Sequence, residues 1–101
     1  MGRLAASLSQ GNQSVSVGIY AGYDTQGAYS VAIGREAGKT NQDDSAVAIG
    51  NSAGNSSQSV NAVAIGKAAG ETSQGTNSIA IGNQAGYANQ GANGIIINSS
   101  G

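Results

Sequence analysis

The sequence repeats with a period of 16 residues, and no insertion or deletion interrupts the repeat. The segment 42–57 shows the pattern most clearly, reading QDDSAVAIGNSAGNSS. Each copy opens with Gln, carries two β-branched aliphatic residues around a small one, and continues with Gly and then an Ala-Gly pair. A fixed period of this length is the signature of a solenoid, in which every repeat forms one coil stacked on the next.

The period divides the chain as one repeat domain, 1–101. A partial coil 1–9 precedes five full coils and a terminal partial coil; these are 10–25, 26–41, 42–57, 58–73, 74–89 and 90–101. In the last coil Ile96 replaces a small residue and Asn98 replaces Gly. Solenoid ends are atypical because an end coil lacks a neighbour, and a seam to a further domain has the same effect. We expect the chain to be a segment of a longer protein.

Each copy predicts one short strand followed by two bends marked by glycine. β-Branched residues favour strands over helices, and residues two apart point to the same face of a strand. The predicted strands are 14–17, 30–33, 46–49, 62–65, 78–81 and 94–97. The expected fold is therefore an all-β, parallel β-solenoid of about six coils, roughly 30 Å long at about 4.8 Å per coil.

The aliphatic residues of these strands form two columns, which we predict to be the structural core. They are Val15, Val17, Val31, Ile33, Val47, Ile49, Val63, Ile65, Ile79, Ile81, Ile95 and Ile97. The opposite strand face carries mostly Ala, so one face would line the coil interior and the other would meet neighbouring subunits. The sequence leaves open which face does which. A single chain with so few aliphatic side chains would be only marginally stable, so we expect a homotrimer. In that trimer Ala48→Lys and Val47→Lys would each disrupt folding and assembly together.

A Gln column predicts a structural ladder. Stacked coils place equivalent residues about 4.8 Å apart, and a side-chain amide can donate to one neighbour and accept from the other. The ladder residues are Gln10, Gln26, Gln42, Gln58, Gln74 and Gln90.

Composition excludes several functional classes. The chain has no Cys and no His, so the usual zinc ligand sets are absent. The net charge is −1 and basic residues form no run, so we expect no nucleic-acid binding. No apolar segment approaches the roughly 20 residues of a membrane span, so we expect no membrane insertion. Leu, Ile, Val and Phe number only 17, but 12 of them occupy two columns, which indicates order rather than disorder.

Two local patterns resemble catalytic or ligand-binding motifs but lack essential features. The segment 34–40 reads GREAGKT, which has one residue too few between its glycines for a phosphate-binding loop. Asp43 and Asp44 are adjacent carboxylates without a predicted cleft, and no column repeats Asp as a calcium-binding roll would. We therefore expect no enzymatic activity, no metal and no cofactor.

The four tyrosines, Tyr20, Tyr23, Tyr29 and Tyr87, are the candidate ligand contacts. Exposed aromatic rings can stack on sugars, but the same residues could pack over a thin core or at a subunit seam. An ice-binding surface would need a regular Thr column. The best column runs Asp24, Thr40, Ser56, Thr72, Ala88 and is irregular.

The pattern Val-Ala-Ile-Gly-x-x-Ala-Gly resembles the head repeats of trimeric autotransporter adhesins, although those heads typically repeat every 14 or so residues. The 16-residue form is similar to repeats of fibre proteins from large DNA viruses and phages. This resemblance implies a homotrimeric structural shaft on the virion surface that contributes to host attachment. The alternative is an adhesin head on a bacterial cell surface that binds host matrix protein or glycan.

Overall fold

A computed structural model of the chain describes residues 10–97, which form a parallel β-solenoid of about five turns. Two parallel sheets make up the coils, and no helix occurs within that range. The six-stranded sheet contains β1 (Val15–Val17), β3 (Val31–Ile33), β5 (Val47–Ile49), β7 (Val63–Ile65), β9 (Ile79–Ile81) and β10 (Ile95–Ile97). The four-stranded sheet contains β2 (Asp24–Gln26), β4 (Thr40–Gln42), β6 (Ser56–Gln58) and β8 (Thr72–Gln74). The predicted partial coil 1–9 and the end of the terminal coil, 98–101, lie outside the described residues.

The strand register follows the sequence period. In the six-stranded sheet Val31 pairs with Val47 and Ile33 with Ile49, so each strand aligns with the residues 16 positions later. The predicted solenoid and its coil spacing are confirmed, and each observed strand is one residue shorter than predicted. The longest dimension of the molecule is 30 Å, as expected for the stack.

Each of four coils contains a second strand, which the sequence analysis did not predict. These strands span the boundary between consecutive coils, in segments such as Asp24–Gln26 and Ser56–Gln58. These segments contain no Val or Ile, and the Asp and Asn in them are depleted in strands. The pairing of Gln42 with Gln58 nevertheless continues the parallel ladder. The predicted coil of one strand and two bends is therefore corrected to a coil with two strands. The second strand lets the coil close around an interior.

The interior is lined by Ala, Ser and Gln rather than by Val and Ile. Ala32, Ala48 and Ala64 are fully buried, and the largest fully buried side chains are those of Gln42, Gln58 and Gln74. The prediction that the Val and Ile columns form the core is wrong for the coil interior. All twelve side chains lie on the outer face of the six-stranded sheet, where they are half-buried or exposed: Val15, Val17, Val31, Ile33, Val47, Ile49, Val63, Ile65, Ile79, Ile81, Ile95 and Ile97.

The physical reason is that the interior is too narrow for branched side chains. A Cβ atom added to Gly54 would lie 2.8 Å from Cδ of Gln58 and 3.2 Å from Cβ of Ala48. The same close approach occurs at Gly38 and Gly70, each against the Gln four residues later in the sequence. Only small residues and one extended amide fit, so the aliphatic residues occupy the other side of the strand.

The predicted Gln ladder is present over four of its six members. Nε2 of Gln42 donates to Oε1 of Gln58 at 3.0 Å, and the bonds from Gln58 to Gln74 and from Gln74 to Gln90 are 3.0 and 3.2 Å. Each of these amides also donates to a strand carbonyl, as Gln58 does to Val47 O at 2.6 Å. The ladder therefore joins neighbouring coils to each other and to the six-stranded sheet.

The ladder stops between Gln26 and Gln42. Oε1 of Gln26 accepts a hydrogen bond from the hydroxyl of Ser16 at 2.6 Å, and Nε2 of Gln26 donates to Val15 O. Oε1 of Gln42 is the one buried side-chain polar atom among residues 10–97 that has no hydrogen-bond partner. Gln10 is exposed and donates to Ser14 O at 3.3 Å, so it lies outside the continuous part of the ladder.

Candidate interaction surface

The outer face of the six-stranded sheet is the most apolar exposed surface of the described residues. We call its twelve Val and Ile side chains the outer apolar face. Seven of them are half-buried in the single chain and five are more exposed, from 36% for Val17 to 66% for Ile95. Monomeric soluble proteins rarely expose contiguous apolar patches larger than a few hundred Å². This face is therefore the first candidate for contact with a partner.

Strand geometry makes the outer apolar face regular. Its two columns are separated by about 7 Å, two residues along a strand, and its rows by about 4.8 Å, the spacing of hydrogen-bonded strands. The register places like residues in each column, for example Val63 beside Ile79 and Ile65 beside Ile81. The result is a long narrow apolar strip that runs along the stack.

Two rows of residues, most of them exposed, border this strip. We define the exit corner as the residues that lie two positions after each strand of the six-stranded sheet. We define the entry corner as the three residues that follow each Gln of the ladder column and end before the small residue that precedes the strand. The exit corner comprises Ile19, Arg35, Asn51, Lys67 and Asn83, all exposed. The entry corner comprises the segments 11–13, 27–29, 43–45, 59–61, 75–77 and 91–93. Neither row was predicted as a functional feature from the sequence. Both are visible, however, when the 16-residue repeats are aligned and the positions that flank the Val and Ile columns are compared.

The two corners carry opposite charges. The exit corner holds Arg35 and Lys67, whereas the entry corner holds Asp43 and Asp44, and all four residues are exposed. Oδ1 of Asp44 accepts a hydrogen bond from the backbone N–H of Ala28 at 2.9 Å, which fixes this side chain against the preceding coil. The strip is thus polar at both borders and electrically asymmetric across its width.

Apolar residues also occupy both corners. Ile19 in the exit corner is 41% exposed, and Tyr29 in the entry corner is 62% exposed. Val60 adds an exposed side chain two coils beyond Tyr29. The apolar surface therefore extends past the strip at these positions.

The structure brings two of the four candidate tyrosines together. The rings of Tyr20 and Tyr23 meet edge to face with centroids 5.2 Å apart, and Nζ of Lys39 lies 5.0 Å from the Tyr20 centroid. This contact has the geometry of a cation–π interaction. Tyr29 lies in the entry corner and Tyr87 is exposed in a later coil, so the four residues do not form one site.

The segment that resembles a phosphate-binding loop has a different structure. Residues 35–38 form a turn, and the chain then enters β4 at Thr40 rather than a helix. A phosphate-binding loop needs the N-terminus of a following helix, so this segment lacks that element. Nζ of Lys39 instead contacts the Tyr20 ring.

Within residues 10–97 no pocket is present, and no three Asp or Glu side chains lie close enough to hold a metal ion. In the same range no helical segment has the length and hydropathy of a membrane span. The outward face of the four-stranded sheet is polar, with Thr40, Ser56 and Thr72 in one column. This column is bounded by Asp24 and Ala88, so it is not a regular Thr array.

Comparisons with protein families, with characterised proteins and with solved structures found no match to this chain. The outer apolar face, its two corners and the tyrosine pair are therefore the features of this chain that bear on its function.

Proposed function

We propose that this chain is a non-enzymatic structural module of a viral or phage fibre, built from three copies that pack through the outer apolar face. The observation that carries the proposal is the position of the twelve Val and Ile residues, which face outward while Ala and Gln fill the coil. Burial of a whole Val or Ile side chain stabilises by roughly 1.5–3 kcal/mol, so completing the burial of half-buried ones would contribute about 1 kcal/mol each. Association supplies apolar burial that the narrow coil interior cannot.

The shape of the molecule supports a shaft role. Register is kept from β1 to β10 without interruption, so the strip and its corners continue along the stack axis. Coils added at either end in the same register would extend all of these surfaces. In this proposal the fibre lies on the virion surface, and its contribution to host attachment is to hold receptor-binding parts away from the particle.

Immunogold electron microscopy tests the fibre assignment. Antibodies raised against residues 10–97 would be applied to virus particles and to bacterial cells from the source culture. The proposal predicts labelled fibres on the particles. Labelling of the bacterial surface alone would favour the adhesin alternative, and labelling of neither surface would contradict both.

The second candidate is an adhesin head that binds glycan or matrix protein through its own lateral surface. The edge-to-face tyrosine pair, with Lys39 beside Tyr20, is the observation that favours it, because aromatic rings can stack on sugars. Glycan and matrix-protein arrays distinguish the candidates. Reproducible binding that is lost in Tyr23→Ala or Tyr87→Ala supports the adhesin, whereas a fibre shaft predicts no such binding.

A further inference from the structure

Building on the self-association proposed above, we propose that the entry corner of one copy docks against the exit corner of a second, parallel copy. Asp43 and Asp44 of one copy would pair with Arg35 of the next, and Tyr29 would pack against Ile19. The partner is thus a second copy of this chain held in a defined orientation. This goes beyond the apolar strip, which by itself does not distinguish parallel from antiparallel packing.

The first observation is charge complementarity across the strip. Within the described residues the entry corner contains no Lys or Arg, and the exit corner contains no Asp or Glu. The acidic pair and the two basic residues are all exposed, so each can reach a neighbouring molecule. Opposite charges on facing surfaces fix orientation and register more than they add affinity.

The second observation is that the apolar pair and the charged pair have nearly the same offset along the stack. Tyr29 follows Ile19 by ten residues, and Asp44 follows Arg35 by nine. A chain that climbs about 4.8 Å in 16 residues rises about 3 Å over either interval. In copies at equal height, Tyr29 therefore lies about 3 Å above Ile19 and Asp44 about 3 Å above Arg35, which is within the reach of these side chains. One docking position satisfies both pairs.

Symmetry then selects the parallel arrangement. Copies rotated about an axis along the stack place the entry corner of one beside the exit corner of the next, and this contact repeats around a closed ring. An antiparallel pair, related by a two-fold axis across the stack, places entry corner against entry corner. That arrangement would bring Asp43 and Asp44 of both copies together, which costs stability.

Local contacts of the charged residues are compatible with this docking. Arg35 lies 4.0 Å from Glu36 in its own chain, yet its side chain remains 61% exposed. A surface ion pair with its charged atoms 4.0 Å apart is weak, so the Arg35 guanidinium can also bind a carboxylate of a neighbouring copy. Asp44 uses Oδ1 for the Ala28 N–H, and Asp43 lies beside it in the same turn.

Charge reversal tests the contact in solution. Sedimentation equilibrium at low salt would compare the original protein with Arg35→Asp, Asp43→Lys and the variant carrying both changes. Each single reversal should raise the dissociation constant of the assembly by about tenfold or more, and the double variant should return it to within about threefold. Glu71→Lys, beside the four-stranded sheet, changes charge as Asp43→Lys does and should leave the constant unchanged. Arg35→Gln provides a milder change if a reversal disturbs folding.

Cross-linking tests the orientation of the copies directly. The chain contains no Cys, so cross-links through thiols can form only at Cys residues that are introduced. A variant with Arg35→Cys and Asp43→Cys should be converted by a short bismaleimide into a covalent trimer, and Asp43→Cys alone should not cross-link. Cross-linking of Asp43→Cys alone would show antiparallel packing and overturn the inference. So would a trimer whose stability is unchanged by the reversals. A folded monomer in the unmodified protein would contradict both the proposed self-association and the proposed corner contact. A trimer that does not respond to the reversals would contradict the corner contact alone.

Discussion

Nε2 of Gln58 donates a hydrogen bond to Oε1 of Gln74 at 3.0 Å, and both side chains are completely removed from solvent. A buried amide that donates to one neighbour and accepts from the other leaves no polar atom unsatisfied. Gln58 also accepts from Gln42 at 3.0 Å and donates to Val47 O. The centre of the coil is thus filled by hydrogen-bonded Gln amides together with small Ala side chains, and not by Val or Ile.

Gln58→Glu should strongly destabilise the fold. The substitution removes the donor to Gln74 and Val47 and places a carboxylate in an interior that excludes water. We expect a loss of about 3 kcal/mol or more in the free energy of unfolding at neutral pH. Urea unfolding measures it. Gln10→Glu, in the same column but exposed, should change stability by less than about 0.5 kcal/mol, and equal losses in both variants would contradict a buried ladder.

Gly54→Ala should destabilise through a direct clash. Gly54 has φ of 52°, and an added Cβ would lie 2.8 Å from the Gln58 side chain. We expect a loss of about 2 kcal/mol or more, because both backbone strain and overpacking oppose the methyl group. Gly91→Ala is the matched control, since nothing lies within 4 Å of its added Cβ. A thermal melt should separate the two variants; equal melting temperatures would contradict the narrow interior.

Thr25→Asn should stabilise the fold. Thr25 has φ of 60°, a left-handed conformation that β-branched residues rarely adopt, and the equivalent residue one coil later is Asn41 at 56°. Asn tolerates this region better, so we expect a gain of about 1 kcal/mol in the free energy of unfolding. Asn41→Thr should lose a similar amount. In urea unfolding, Thr25→Asn should raise the free energy of unfolding and Asn41→Thr should lower it. A lower free energy of unfolding in Thr25→Asn would contradict the explanation by backbone strain at Thr25.

The sequence period predicted the coil register, because each β-branched residue has an equivalent 16 positions later. Val31 opposite Val47 follows directly from that repeat. The second strand of each coil was not predictable from propensity. Asp24–Gln26 contains no β-branched aliphatic residue, and its central Thr25 has a left-handed backbone. Its strand character comes from pairing with β4, a tertiary effect.

The assignment of faces could not be made from alternation alone. Val47 and Ala48 point to opposite sides of one strand, and either side could have been the interior. The deciding quantity is the width of the coil, which depends on how closely Gly54 approaches Gln58. The useful signal in the sequence was the combination of a repeated Gln, a repeated Ala-Gly and a small residue between the aliphatic ones. For the same reason the outer surface, not the interior, carries the candidate interaction site.

Substitutions on the two faces of β5 should now have different effects. Ala48 is fully buried, so Ala48→Lys should prevent folding, with a cost of about 3 kcal/mol or more. Val47 is only half-buried on the outer face, so Val47→Lys should cost the single chain about 1 kcal/mol or less but weaken assembly.

Circular dichroism and sedimentation together separate these outcomes. Thr72→Lys, exposed on the four-stranded sheet, is the control and should alter neither folding nor assembly. Loss of folding in Val47→Lys comparable to that in Ala48→Lys would show that the outer face is required within the single coil. That result would contradict the separation of roles between the two faces.

Sedimentation equilibrium of the unmodified chain tests the central claim most directly. The claim is that the outer apolar face is a contact surface between three copies. It predicts one folded species of about three times 9.8 kDa over a range of micromolar concentrations. A stable, folded species of 9.8 kDa under the same conditions would contradict it.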